Sequence, residues 1–367
     1  SGSRNHIFAD LDFNFIEDES YKSNLSLKVQ RTSNDTYFRI HDINTALVDS
    51  EDTTLENELK YSFSKSDMYI DINASVFENL RGGKNSDRYE YILPNIMYGK
   101  TFFSENFGTL DFTSNAFYSN YDTNKHKTFL TNDVIWSPSS HITKNGFINT
   151  LAGMIRNTNY EVKNTEKYRN ETTVNELHGV LSYKTSLPMK KDGINYSKLF
   201  SPNFMLRYAP GHMRNLKSKD VTLNYSNIYA LNKTSAIEDG LSAILGFDYK
   251  INENKNDSEN EKLSLSIGQI FNHEENFDMP SKSSLDQKTS DIVGEINYNF
   301  SEIGKIDYKF SVDHNLNDFN YNDFSTVLNF GKIQFNLDYL EQQNHIGEEH
   351  YASSGLSINF NDHNKLG

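Results

Sequence analysis

Residues 241–251 read LSAILGFDYKI, and residues 263–271 read LSLSIGQIF. In both stretches the large apolar side chains fall mainly on alternate positions, with small or polar residues between them. Alternate side chains of a strand point to opposite faces, whereas a helix would need an apolar repeat of about 3.6 residues. The two stretches therefore predict two strands, each with one apolar and one polar face. The acidic segment 252–260 between them predicts a loop.

The same alternation recurs along the whole chain and predicts a succession of strands joined by short turns or long polar loops. Besides the two strands above, the predicted strands lie at 7–15, 21–29, 55–63, 68–76, 89–98, 110–118, 128–136, 147–155, 174–183, 204–208, 221–229, 292–300, 306–312, 324–330, 333–339 and 356–360. The total is about seventeen or eighteen strands of roughly nine to eleven residues, with no amphipathic helix. This rhythm is typical of outer-membrane barrels. The predicted fold class is all-β, a large antiparallel transmembrane β-barrel.

Two polar stretches and three prolines modify this pattern. The polar stretch that contains residues 33–38 predicts an excursion from the sheet, and the charged, apolar-poor residues 157–171 predict a solvent loop. Pro202 and Pro210 are predicted to bound the short strand that lies between them. Pro94 cannot donate a backbone hydrogen bond, so it predicts a bulge or a locally weak pairing in its strand.

The composition fits membrane strands better than membrane helices. Hydrophobic residues make up 36% of the chain and the mean hydropathy is -0.69. No segment approaches the roughly 20 apolar residues that a spanning helix needs. A wide barrel exposes only alternate strand residues to lipid, so its average composition can be polar. The 25 Phe and 22 Tyr suit the aromatic girdles of a barrel, but an aromatic-rich β-sandwich would have a similar composition, and composition alone leaves both open.

Charge and cysteine content exclude several classes of function. The formal net charge is -14, which disfavours nucleic acid as a partner because phosphate binding needs a basic surface. The chain has no cysteine, so it contains no disulfide and no thiolate metal site. Residues 1–5 carry no signal-peptide hydrophobic region, and we expect any export signal to lie outside this chain.

No motif predicts an enzyme, a cofactor or a metal site. Gly82 and Gly83 do not open a predicted helix, which argues against a phosphate-binding loop. His345 and the segment 348–350 lack metal-ligand spacing and predict a polar loop. Residues 313–318 resemble the start of a calcium-binding loop but lack the glycine at its sixth position and the glutamate at its twelfth. Looser binding of a divalent cation at this acidic turn stays open.

Several local sequences resemble the barrel region of the LptD family, the lipopolysaccharide-assembly proteins also called OstA or Imp, especially its alphaproteobacterial branch. The sequences that carry the resemblance are Ser33–Phe38, Tyr91–Ile96, Glu238–Gly240 followed by Leu245–Phe247, and Leu263–Gln269 with Ser290–Gly294 downstream. The positions that match family motifs are Asp35, Tyr37, Pro94, Gly240, Gly268, Gln269, Asp291 and Gly294. The family's Gly-Tyr-Asp-Arg element stands here as Thr234–Ile237, and the family's cysteines have no counterparts.

The resemblance implies a barrel of about twenty-six strands, preceded by a periplasmic β-jellyroll and plugged by the lipoprotein LptE. It implies that residues 1–367 form one barrel domain that is truncated at both ends, with no second domain. The implied function is to insert lipopolysaccharide into the outer leaflet of the outer membrane of a Gram-negative bacterium, with an LptA-like periplasmic bridge as a further partner. The implied roles of the motif positions are structural. The resemblance also suggests a second hypothesis for Pro94, that it weakens the pairing at a seam between strands through which the lipid leaves the barrel.

Two other functions stay open from the sequence. A general porin or a ligand-gated outer-membrane transporter would show the same alternation, and a secreted β-rich adhesin would stay soluble without detergent. For a barrel, the apolar parity of each strand is predicted to face lipid and the polar parity a wet lumen. Arginine at Leu265 or Ile296 is then predicted to block assembly, whereas arginine at Ser264 or Asn297 is predicted to be tolerated.

Overall fold

The structure is a computed structural model that describes residues 5–18, 20–81, 88–121, 125–164, 172–255, 258–300, 303–361 and 364–366. Within these residues it contains twenty strands and one short helix. The first ten strands are β1 (His6–Asp18), β2 (Tyr21–Thr32), β3 (Thr54–Lys65), β4 (Met68–Asn79), β5 (Tyr89–Ser104), β6 (Gly108–Tyr121), β7 (Lys125–Ser137), β8 (His141–Ile142), β9 (Ile148–Lys163) and β10 (Val174–Ser186). The others are β11 (Met189–Asp192), β12 (Tyr196–Ala209), β13 (Gly240–Lys255), β14 (Ser258–Asn272), β15 (Ile292–Asn299), β16 (Gly304–Val312), β17 (Phe319–Phe330), β18 (Ile333–Gln342), β19 (Glu349–Asn361) and β20 (Asn364–Leu366). The helix is α1 (Tyr37–His41).

The chain divides into two compact units, residues 1–136 with 154–177 and residues 137–153 with 178–367. In the first unit, β1 to β6 pair in sequence order, and every pairing is antiparallel. In the second unit, β12 pairs with both β10 and β11, and β12 to β20 again pair antiparallel in sequence order. The predicted fold class, an all-β antiparallel fold of the outer-membrane barrel type, is confirmed.

The strand count differs from the prediction for two reasons. Three strands, β8, β11 and β20, are two to four residues long, which is too short for an alternating pattern to be recognised. Residues 221–229, predicted as a strand, instead form an irregular segment followed by a turn. Its alternating apolar residues pack inside the second unit rather than along a sheet. This tertiary packing, and not a strand, accounts for their alternation.

Two predicted loops are strand over part of their length. Residues 157–163 belong to β9, where Tyr160 and Val162 are buried, and the remainder of that predicted loop from 165 to 171 lies outside the described residues. Residues 252–255 and 258–260 extend β13 and β14, and the ladder pairs Asn252 with Glu261. Backbone hydrogen bonds hold these polar extensions together, so strand ends need no apolar alternation. The Gly82–Gly83 pair also lies outside the described residues.

The prolines act differently from each other. Neither Leu93 nor Pro94 has a partner in the ladders that β5 forms with β4 and β6, since both ladders shift register at this point, so the predicted bulge is confirmed. Pro202 lies inside β12 and does not bound it. Its carbonyl accepts a hydrogen bond from the N–H of Leu187 in the gap between β10 and β11, and its missing N–H falls on that same interrupted side.

The segment after β2 is an excursion from the sheet, as predicted, but it contains α1, which was not predicted. The helix is too short to show an amphipathic repeat. Its Phe38 packs with Val48, Leu55 and Leu80 in a small core of the first unit. The larger core lies in the second unit, where ten buried residues of β12 to β15 and their connecting loops form one cluster.

Candidate functional site

The candidate site is one face of the sheet formed by β12 to β15 together with two long connections, residues 210–239 and 273–291, which we call the covering loops. Met205, Ile244, Ile270 and Val293 project from this covered face and are at most 2% exposed. They pack against apolar residues of the covering loops, namely Met213, Leu216, Leu223, Ile228, Met279 and Leu285. The opposite face, which we call the free face, carries exposed apolar residues such as Leu206, Leu241 and Leu245.

The covered face was predicted to be polar and wet; it carries polar residues such as Arg207 and Asp248, but the prediction that it is open to water is wrong over these strands. Apolar residues at Met205, Ile244, Ile270 and Val293 interrupt the polar parity and are buried under the covering loops. Ser264 is also buried, and its Oγ accepts a hydrogen bond from Nδ2 of Asn297 at 3.1 Å. The prediction that arginine is tolerated at Ser264 is therefore replaced by the expectation that it disrupts this buried face.

A pair of glycines lets the first covering loop approach the sheet. Gly246 and Gly268 are directly opposite each other in the β13–β14 ladder. A Cβ atom on Gly246 would collide with the hydroxyl of Tyr229, and one on Gly268 would lie 3.0 Å from Cδ1 of Ile228. The absence of two side chains therefore creates the space that the loop occupies.

Asp248 is the polar centre of the same contact. Its Oδ1 accepts hydrogen bonds from the hydroxyl groups of Tyr225 and Ser266, and its Oδ2 accepts one from Nδ2 of Asn203, each at 2.7 Å. Burial and the hydrogen bond to Asp248 raise the pKa of Tyr225, so its hydroxyl stays protonated and available as a donor. The carboxylate thus joins a covering loop to three strands.

A buried charge cluster fixes the end of the first covering loop. In β12, Nε of Arg207 donates to the carbonyl of Leu231 and Nη2 to the carbonyl of Glu238, both at 2.7 Å. Oε2 of Glu238 lies 3.8 Å from Nη2 of Arg207 and 3.5 Å from Nζ of Lys233. All three side chains are at most 6% exposed. Burial lowers the pKa of Lys233, and the charge of Glu238 opposes that shift.

The second covering loop ends at another buried carboxylate. Oδ2 of Asp291 accepts hydrogen bonds from Oγ of Ser311 at 2.8 Å and from Nδ2 of Asn320 at 2.9 Å. Nε2 of His345 lies 3.0 Å from the same oxygen but makes a bent contact that falls short of hydrogen-bond geometry. Burial lowers the pKa of His345, and the negative charges of Asp291, Asp286 and nearby carboxylates outweigh it, so the net shift is upward.

A cavity of about 530 Å³ lies between the covering loops. Arg207 and Lys233 line it, together with the acidic residues Glu238, Asp239, Glu274, Glu275 and Asp278. Over the described residues, no group of three or more His, Cys, Asp or Glu side chains is arranged to hold a metal ion. The described part of the chain has no helix long and apolar enough to cross a membrane.

Comparison with known proteins identifies the family. A family model described as "LptD: LPS transport system D" matches residues 3–363. The chain belongs to the LptD family. This is a family of lipopolysaccharide transport and assembly at the outer membrane rather than a family of enzymes. The resemblance seen in the sequence and the predicted outer-membrane location are confirmed.

Among solved structures, the chain is similar to the siderophore receptor PirA from Pseudomonas aeruginosa. The match has 8% sequence identity and a TM-score of 0.42, and it covers 96% of this chain and 70% of the receptor chain. This likeness is too distant to carry an argument. No curated protein sequence matches the chain.

Five of the eight LptD-motif positions lie in the second unit at the covering loops or their strands. Gly240 begins β13 with φ of +100°, a conformation that favours glycine. Gly268 and Asp291 hold the covering loops as described above. Gln269 projects from the free face of β14, and its Nε2 donates a hydrogen bond to the carbonyl of Ser290 at 2.8 Å. Gly294 leaves room for the ring of Phe310 on the neighbouring strand.

The other three positions lie in the first unit. Asp35 accepts two hydrogen bonds from the guanidinium of Arg88, which also pairs with Glu78. Tyr37 is buried in α1, and its hydroxyl lies 3.0 Å from Nδ1 of His6. Pro94 lies at the bulge of β5. The structure therefore places Asp35 and Tyr37 in one excursion and Pro94 in a strand.

Sequence reasoning missed the groups that hold the covering loops: Asn203, Arg207, Tyr225, Lys233, Asp248, Asn320 and His345. One signal was available, because Gly246 and Gly268 interrupt the polar parity of their strands. Two glycines on the same face of neighbouring strands indicate that another part of the chain approaches closely. Residues 313–318, which resemble a calcium loop, form a turn in which Asp313 accepts from the N–H of Asn315 at 3.0 Å.

Proposed function

We propose that this chain forms the wall of an outer-membrane translocon that inserts lipopolysaccharide into the outer leaflet. Membership of the LptD family, over residues 3–363, is the observation that carries the proposal. Residues 1–367 would act as one barrel domain of a larger assembly. An LptE-like lipoprotein would plug that assembly, and an LptA-like bridge would deliver the lipid through a further periplasmic domain.

The two faces of the sheet suit an amphiphilic cargo. The sugars of lipopolysaccharide need a polar surface, and its acyl chains need an apolar one. On β12 and β13, residues such as Leu206 and Leu241 keep the free face apolar and exposed, which is what contact with lipid requires. The cavity between the covering loops, lined by acidic residues such as Asp239, Glu274 and Glu275, offers a polar surface. A general porin is not favoured, because the covering loops lie on the face that an open channel would need.

The function can be tested in a Gram-negative strain depleted of its own lipopolysaccharide translocon. The full-length gene that encodes this chain, supplied with its lipoprotein partner, should restore the appearance of newly made lipopolysaccharide on intact cells, measured with an antibody that cannot enter them. Normal outer-membrane insertion of the protein without surface lipopolysaccharide would contradict the proposal. A porin would instead raise the uptake of small solutes.

The lipid contact of the free face can be tested with two matched substitutions. Leu206→Arg places a charge on a free-face position that is 42% exposed, and Ile194→Arg places one in the turn before β12 at a position that is 96% exposed. A charge facing the centre of a bilayer costs roughly 2–4 kcal/mol in a barrel, whereas the turn is expected to be in water. Leu206→Arg should reduce the amount of assembled protein, and Ile194→Arg should not. Equal assembly of both variants would show that the free face does not meet lipid.

A further inference from the structure

The free face of the second unit contains an apolar groove of about 580 Å³. It is lined mainly by apolar residues, among them Phe147, Leu187, Phe204, Leu245, Phe247 and Phe271. Phe147, Leu245 and Phe271 are 37–50% exposed, so the groove opens on the same surface as the exposed apolar residues around it. It is separate from the acidic cavity between the covering loops.

An interruption of the sheet accounts for a depression at this place. β10 pairs with β12 up to Ser186, and β11 resumes the pairing at Met189. Between them, Leu187 leaves the regular ladder and bonds the carbonyl of Pro202 at 3.2 Å. Both Leu187 and Pro202 line the groove. A continuous strand would present regularly spaced side chains here, whereas the interruption leaves room for a narrow apolar group.

Four polar residues line the groove, Thr185, Ser186, Asn203 and Gln269, and Gln269 is the one that presents a fixed amide on the apolar face of β14. Among the residues that β14 projects from the free face between Leu263 and Phe271, Gln269 is the sole polar one. It lines the groove. Its Nε2 is engaged by the carbonyl of Ser290 at 2.8 Å, which fixes the amide. Among the described residues, no hydrogen bond uses its Oε1, so the groove combines an apolar wall with a fixed acceptor.

We propose that this groove binds an acyl chain of lipopolysaccharide, with Oε1 of Gln269 accepting a hydrogen bond from an amide N–H or a hydroxyl at the root of that chain. The inference rests on the proposed function for the choice of lipid. The groove opens on the exposed apolar free face, which the proposed function places against lipid, so a lipid chain is the occupant that it fits. Amide-linked and hydroxylated acyl chains carry donors beside their first carbons, whereas the ester-linked chains of glycerophospholipids carry none there. An acceptor among apolar residues therefore favours lipopolysaccharide.

Photo-crosslinking of the purified full-length protein in detergent tests the site. The photoreactive residue p-benzoylphenylalanine replaces Phe204, inside the groove, or Leu206, on the same free face two residues along β12 and outside the groove. Each protein is irradiated with purified lipopolysaccharide or with phosphatidylethanolamine. We expect several-fold more lipopolysaccharide adduct at position 204 than at position 206, and more of it than of phospholipid adduct at position 204. Equal lipopolysaccharide adducts at both positions, or a predominance of phospholipid, would overturn the proposal.

Substitutions within the groove test the role of the acceptor. Gln269→Leu keeps the volume and removes the acceptor, and should lower the lipopolysaccharide adduct at position 204 by roughly three- to tenfold, as the loss of one hydrogen bond predicts. Leu245→Trp should also lower the adduct, because the larger side chain fills the groove. Heat-modifiable electrophoretic mobility shows whether each variant folds, and Leu245→Trp provides the test if Gln269→Leu does not fold. An unchanged adduct in a folded variant would contradict the proposal.

The site and the proposed function can fail separately. Crosslinking in detergent does not require transport. If the adduct is specific to position 204 but the protein fails to restore surface lipopolysaccharide, the proposed binding site is supported and the proposed function is contradicted. Restored surface delivery without a preference for position 204 would do the reverse.

Discussion

The strands β3 to β6 of the first unit and β12 to β15 of the second have similar length and alternation but differ in what lies on their faces. Tight turns at 66–67 and 105–107 join strands of the first group, and on the polar parity of that group residues such as Lys60 and Asp71 are only partly buried. In the second group the covering loops fold onto the sheet, and Ile244 and Val293 are fully buried. The comparison teaches that the larger core, that of the second unit, forms because two long connections return to the sheet.

The largest expected effect comes from breaking the buried charge cluster beneath the first covering loop. Glu238→Gln removes the negative charge that faces Arg207 and Lys233, whose side chains are 2% exposed. Leaving buried charge uncompensated typically costs about 3–5 kcal/mol. We expect a loss of that order in the free energy of unfolding, measured by urea titration of the purified protein in detergent.

The matched control for this charge lies in the first unit. Glu78 pairs with Arg88, but that guanidinium keeps Asp35 as a second partner and is 27% exposed. Glu78→Gln should therefore cost less than about 1 kcal/mol. If Glu78→Gln destabilises as much as Glu238→Gln, the contrast between a covered and an open region would be wrong.

An intermediate effect is expected from filling the space under the loop. Gly268→Val adds a branched side chain where Cδ1 of Ile228 lies 3.0 Å from the Cβ position, and overpacking of this kind costs roughly 1–3 kcal/mol. Ile228→Ala should restore the space, so the double variant should be more stable than the sum of the single changes predicts. Urea titration of the four proteins gives the coupling energy.

Gly99→Val supplies the comparison from the open region. A side chain at Gly99 would meet the ring of Tyr69, which is only partly buried and can rotate away. We expect Gly99→Val to cost less than Gly268→Val. Additive costs at Gly268 and Ile228 would mean that the glycine does not serve to admit the loop.

Strand positions could be predicted because each two-faced strand carries its own alternation. The hairpin β3–β4 and the strands around Leu245 and Leu265 follow directly from it. The covering loop around Ile228 could not, because its alternation is the same and only packing against Gly246 and Gly268 distinguishes it from a strand. Local pattern therefore determines which residues extend, but not which long connections return to the sheet.

The candidate site was harder to predict because its residues are far apart in sequence. Motif resemblance found Gly268 and Asp291 but not their partners. Asp248 binds Asn203 and Tyr225 from different elements, and no spacing rule links these positions. The local sequence around Arg207 also does not distinguish it from any other residue on the polar face of a strand. Its role depends on Glu238, which follows a long loop and reaches it only in the folded chain.

The smallest expected effect is a pH dependence where the second covering loop meets residues 343–348. Burial lowers the pKa of His345, but the polar contact with Asp291 and the negative charges of Asp291, Asp286 and Asp313 outweigh it, so the pKa lies above the ordinary value. A raised pKa in the folded state stabilises the protein below the ordinary pKa of about 6.5, and this contribution is lost as the pH rises through the folded value. His345→Gln should therefore cost up to about 1 kcal/mol at pH 6 and less at pH 9.

Urea titrations of both proteins at the two pH values, with exposed His212→Gln as the control, measure the difference. A cost that does not change with pH, or one that grows at pH 9, would mean that protonated His345 does not hold the second covering loop.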